Sequence, residues 1–237
     1  MKKLTLLLLS FVCIAASAQT ADDIIQQYSA AMGGLDAFNK ISTAKITGTV
    51  TTQGRTLPII TQMINNKAMR MDVEAMGQQI INVYNNGKGW KINPFANAPV
   101  ATEVKGSELT NYKAQASLLN NLADYKNRGH QVEYLGQEDV NGSKVYKIKL
   151  TSKDDVKTTT YFISTSSYFL IKSVTKREIQ GNQYDAETIY TDIREINGLK
   201  FCMHITVTVE GNVFQEVNYE KIELNIPVDE KIFLQPK

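Results

Sequence analysis

"NVYNNGKGWKINPF", residues 82–95, holds the only tryptophan of a 237-residue chain. Asn86-Gly87 between two apolar runs is a strong hairpin signal, because a type I′ turn needs positive φ at both central positions. A two-residue turn there sets Val83 opposite Trp90 and Ile81 opposite Ile92, an apolar ladder on one sheet face. Ile80, Asn82, Tyr84 and Lys91 fall on the other face. Carried back through the turn near Gly77, the alternation groups Met69, Met71 and Val73 with Ile80 and Tyr84. Arg70, Asp72 and Glu74 join Trp90. Both faces thus carry large apolar side chains, so this part of the sheet is expected to be covered on both sides, by helix, lipid or a partner.

The same period of two extends in both directions. "KITGTVTTQ", "TLPIITQMI" and "AMRMDVEAM" precede the hairpin, and strand follows strand after Gly129. Asn141-Gly142, Asp154-Asp155, Gly181-Asn182, Asn197-Gly198 and Gly211-Asn212 mark the turns. Helical periodicity occurs twice. One segment begins at Thr20, with Asp23 as capping partner, and stops at Gly33-Gly34, with "LDAFNKI" as one more short turn. The other spans 107–126 with Ser107 as N-cap, placing Leu109, Tyr112, Ala116, Leu119 and Leu122 on one stripe. The expected fold is mainly β (α+β), a single strongly curved antiparallel sheet of roughly ten or eleven strands. The N-terminal and mid-chain helices pack on its concave side.

The first residues are not expected in that fold. Lys2-Lys3, the apolar run Leu4 to Ala16 and Ala16-Ser17-Ala18 form a secretory signal with its cleavage site, so residues 1–18 are predicted to be removed. Cys13 follows Val12, where a lipid-modified cysteine ordinarily follows a small residue. The expected location is therefore the periplasm, rather than a lipid anchor or secretion, with residues 19–237 as one domain. Cleavage removes two of the 26 Lys+Arg and none of the 24 Asp+Glu, leaving no net charge. Nucleic acid is excluded as a partner, since phosphate binding needs a basic footprint. Cys202 would be the only cysteine left, so no internal disulfide forms.

Catalytic and metal constellations find no support. His130 and His204 lie far apart without metal-ligand spacing. Cys202 and His204 share a strand face, but no turn or helix terminus activates the thiol there. "NNGKG" lacks the spacing and following helix of a phosphate loop. No catalytic residue, metal or cofactor is expected. Met63, Met69, Met71 and Met76 suit either an adaptable apolar surface or core gap-filling.

An exported chain with an N-terminal helix ending in "GG", then strands, then "NGKGWKINP", resembles the LolA/LolB-like outer-membrane lipoprotein-sorting carriers. Asn86, Gly87, Lys88, Trp90, Asn93 and Pro94 carry the likeness, with Asn for the family's Asp and one residue fewer before Trp. The resemblance implies a half-open β-barrel under a helical lid, with an apolar concavity for acyl chains and no cofactor. The family's lid-closing arginine, in an Arg-Pro pair, is missing; Arg70 in "INNKAMR" is its nearest candidate. The resulting expectation is a non-enzymatic periplasmic carrier or binder of lipid or lipoprotein acyl chains. The alternative is a cell-envelope structural or interaction module with a self-filled interior. Expected cavity residues are Met71, Val73, Ile81, Val83, Trp90, Ile92, Leu119, Leu122, Met203 and Ile205. The expected partners are lipid or an acylated lipoprotein, and envelope membrane proteins, with the chain itself a monomer.

Overall fold

Alternating sequence with tight turns produces one antiparallel sheet whose first and last strands pair in its middle. The structure, a computed structural model, describes residues 19–179 and 182–236; the signal segment 1–18 lies outside the described residues. The strands are β1 (Thr43–Thr52), β2 (Arg55–Ile64), β3 (Ala68–Ala75), β4 (Gln78–Asn85), β5 (Lys88–Asn93), β6 (Ala98–Val104), β7 (Gln131–Val140), β8 (Ser143–Thr151), β9 (Thr158–Ser164), β10 (Leu170–Ile179), β11 (Asn182–Ile196), β12 (Leu199–Val209) and β13 (Asn212–Leu224). Their order is β6-β5-β4-β3-β2-β1-β13-β12-β11-β10-β9-β8-β7. Each strand pairs with its neighbour in sequence, and β1 with β13 joins the two halves. The edges β6 and β7 stay unpaired with each other, so the barrel is half-open, and residues 105–130 link them.

Thirteen strands form among the described residues, where the turn signals indicate ten or eleven. The β9–β10 turn contains no Gly, Asn or Asp; Ser164 Oγ instead accepts from the Ser166 and Ser167 amides. β6 contains Pro99, which cannot donate to a ladder and fits only at an edge, where β6 lies.

The Asn86-Gly87 hairpin has the expected register, with Val83 opposite Trp90 and Ile81 opposite Ile92. Helix α1 (Ala21–Ala31) starts with the Thr20/Asp23 capping box and stops before Gly33 and Gly34, at φ 112° and 90°. Helix α2 (Leu35–Asn39) follows. The mid-chain helix departs from expectation. It is α3 (Gly106–Gln115), with Lys105 rather than Ser107 as N-cap, and a separate α4 (Tyr125–Arg128). Competing hydrogen bonds end α3: the Asn66 amide donates to the Ala116 carbonyl, and Asn65 Oδ1 accepts from the Leu118 amide. Residues 116–124 are left as an irregular strap.

Candidate functional site: an apolar cavity under a helical strap

Which face of the sheet is inside is decided at Gly89. A Cβ there would meet Leu109 Cδ1 at 2.9 Å and Val104 Cβ at 3.2 Å, so α3 lies against that face. Tyr112 of α3 donates to Asn82 Oδ1 at 2.6 Å, and Lys91 pairs with Glu108 at 2.8 Å. Asn82, Tyr84, Gly89 and Lys91 are therefore concave. Because successive side chains alternate, Ile81, Val83, Trp90 and Ile92 are convex.

Between the concave face, α1 and the strap lies a cavity of about 670 Å³. Ile46, Ile59, Met63 and Met71 line it from β1 to β3, and Tyr190, Phe201, Ile205, Val217 and Tyr219 from β11 to β13. Tyr28 and Ser29 of α1, Met32 just after it, and Leu118, Leu119 and Ala123 of the strap cover it. A smaller cavity of about 220 Å³ adjoins it, sharing Ala114 and Ser117. Its lining includes the charged or titratable side chains Lys113, Arg128, His130 and Asp154, with Lys113 held by Asp154 at 3.0 Å.

The strap is held by amides and hydroxyls. Asn65, in the β2–β3 turn, donates from Nδ2 to the Ile41 carbonyl at 3.0 Å and the Phe38 carbonyl at 3.3 Å. Its Oδ1 accepts from the Leu118 amide at 3.1 Å. Asn120 donates to the Tyr28 hydroxyl at 2.7 Å. Asp22 of α1 meets Lys126 Nζ and the Tyr125 hydroxyl, and Lys126 first, then Tyr125, holds its carboxyl below the usual carboxylate range.

Of the ten residues expected to share the cavity, Met71, Leu119 and Ile205 line it. Val73, Leu122 and Met203 are packed into the buried core instead. Ile81, Val83, Trp90 and Ile92 do not join them, because the register sends them to the convex side. There Val83 is fully buried beneath the C-terminal 3₁₀ turn (Glu230–Phe233), which packs on β3 and β4 with Phe233 1% exposed. Arg70 also points that way. It grips Asp72 with two nitrogens, at 2.6 and 2.8 Å, and donates to the Ile232 carbonyl at 3.3 Å. It fixes the C-terminal turn, whereas the strap is bonded by Asn65, by the Asn66 amide and by the Tyr28 hydroxyl. β3 and β4 are thus covered by α3 and the cavity on one side and by the C-terminal turn on the other.

Of the four methionines, Met63 and Met71 line the cavity, Met69 is fully buried and Met76 is exposed at a turn. Tyr28, Ser29, Tyr190 and Tyr219 have no counterpart among the expected site residues. Tyr28 sits on the helical stripe visible in the sequence, but nothing there shows that the stripe meets β11 and β13.

The electrostatics suit an uncharged occupant. Burial raises the pKa of Tyr28, Tyr190 and Tyr219, so all three stay neutral. Burial also raises that of Cys202, whose thiol donates to the Thr191 and His204 carbonyls. His204 turns its Nδ1 to the Thr191 hydroxyl at 3.1 Å. The two side chains share a strand face without forming a thiol–base pair.

No protein-family model and no curated protein sequence matches the chain. Solved structures do. A LolA superfamily protein from Nitrosomonas europaea matches at TM-score 0.61 and 12% identity, over 91% of this chain and 98% of that one. A DUF1329 family protein from Desulfovibrio piger matches at 0.62 and 10%, over 91% and 98%. A domain assigned as an outer membrane lipoprotein-sorting protein, from Vibrio parahaemolyticus, matches at 0.60 and 10%, over 90% and 97%. Over at least 90% of its length, the chain has the half-open barrel fold of these LolA superfamily and lipoprotein-sorting structures.

Proposed function

We propose that this protein is a periplasmic carrier or binder of lipid or lipoprotein acyl chains, held between the concave sheet face and the helical strap. The observation that carries this reading is the cavity of about 670 Å³ with its largely aliphatic and aromatic wall. That volume is in the range of sites that enclose small apolar ligands, roughly 300–1,000 Å³. Moving an acyl chain from water into such a site gains about 25 cal/mol for each Å² of apolar surface covered. Support for export comes from the signal-like residues 1–18, and support for lipid or lipoprotein as cargo from the fold's likeness to a lipoprotein-sorting domain. The role is non-enzymatic and monomeric, with envelope membrane proteins as donor or acceptor of the cargo. An open cavity weighs against the self-filled interaction module.

Native mass spectrometry of protein released from the periplasm without detergent tests this. One lipid-sized adduct per chain is expected. After delipidation the protein should take up an apolar fluorescent probe, and Ile205→Trp, which fills the wall, should lower that uptake while the fold persists. Absence of both adduct and probe uptake would overturn the reading.

A further inference from the structure

The cavity wall carries hydroxyl hydrogens that no group among the described residues accepts. Ser29 of α1 is 7% exposed, and its enclosed Oγ has no hydrogen-bond partner among the described residues. Beside it, the Tyr28 hydroxyl accepts from Asn120, which leaves its own hydrogen undirected. On the sheet side, the Tyr219 hydroxyl makes no hydrogen bond among the described residues, and all three residues line the cavity. Buried polar groups are ordinarily paired, so unpaired donors in a binding cavity are positioned for an acceptor on the occupant. Burial keeps both tyrosines protonated and hence donors.

The charge distribution excludes other occupants. Among the described residues, Lys200 is the only charged one lining the cavity, and Glu195 holds its ammonium at 2.5 Å. A carboxylate or phosphate drawn inside would lose its water with no free cation to replace it. A plain hydrocarbon would leave the hydroxyls unmet. We propose that the cavity selects uncharged lipids bearing an ester or ketone oxygen, received by the hydroxyls of Tyr28, Ser29 and Tyr219, over free fatty acids and plain hydrocarbons. This rests on the reading that the cavity carries lipid.

Competition for a bound diphenylhexatriene probe on delipidated protein tests it, using methyl palmitate, palmitate and hexadecane, which share nearly one chain length. Methyl palmitate should compete about tenfold better than either of the others, the worth of one or two neutral hydrogen bonds. Ser29→Ala and Tyr219→Phe each delete one oxygen and should shrink that preference severalfold, with hexadecane competition retained. Palmitate or hexadecane competing equally well on the unaltered protein would overturn the proposal and leave the carrier reading standing. So would an ester preference unchanged in both variants. Failure of the probe and all three ligands to bind would overturn the carrier reading, and this proposal with it.

Discussion

Replacing Asn65 with alanine should loosen the strap without dissolving the sheet. Asn65 makes three side-chain hydrogen bonds at partly buried positions, one to the Leu118 amide and two to the Phe38 and Ile41 carbonyls. Each such bond contributes about 0.5–1.5 kcal/mol net. The total loss is therefore about 2–3 kcal/mol, of which the Leu118 bond and its unmet donor account for about 1–2 kcal/mol. The Asn66 amide still holds the Ala116 carbonyl at 2.8 Å, so the strap is weakened rather than freed. Amide hydrogen exchange resolved by peptide reads this directly, because local opening is governed by local free energy. Exchange across 116–124 should accelerate about 5- to 30-fold, while the β8–β12 strands keep their protection. Asn65→Asp separates the two functions of the side chain. It retains the acceptor for Leu118 and loses both donations, so the 38–41 segment should loosen more than the strap. Unchanged exchange across 116–124 in the alanine variant, or a uniform rise over every strand, would refute Asn65 as the strap's anchor.

At Gly48, where the β1–β13 register shifts, an added Cβ would lie 2.0 Å from the Asn218 carbonyl oxygen, part of the backbone. Gly48→Ala should cost about 3 kcal/mol or more or prevent folding, because this pairing joins the two halves of the sheet; near-normal stability in urea would count against that. His130 is 8% exposed, and its Nδ1 accepts from the Lys153 amide. Burial first, then Arg128, depresses its pKa below 6.5. The unfolded chain thus takes up this proton more readily, so the contribution of His130 is complete above pH 6.5 and is lost as pH falls below it. His130→Gln should flatten that part of the stability profile, and an unchanged slope would show that other groups set it. Trp90 lies on the convex face, so its emission should not move when lipid fills the cavity; a blue shift on lipid addition would contradict the register argument.

Period-two alternation, turn residues and the Thr20/Asp23 cap determined the sheet, the N-terminal helix and even the pairing of Val83 with Trp90, because these depend on neighbours a few residues apart. The same local signals ran out at two kinds of place. Turns built from serine, as after Ser164, and an edge strand containing Pro99 lack the usual punctuation, which hid strands from the count. The 107–126 stripe broke into α3, strap and α4 because Asn65 and Asn66, some fifty residues away, take hydrogen bonds that a continuous helix would need.

The choice of inner face was beyond the sequence for a physical reason. Alternation states which side chains share a face, never which face is inside, and here both faces of β3 to β5 are apolar. The apolar ladder with Ile81, Val83 and Ile92 suggested Trp90 as a cavity residue, yet the small Gly89 beside it marks the inside, since a Cβ there would meet Leu109 of α3 at 2.9 Å. On the convex side, Val83 is buried beneath a C-terminal turn more than 130 residues away in sequence. The cavity itself, with Tyr28 and Ser29 facing Tyr219, exists only because the curvature of the sheet brings the first helix over the last strand.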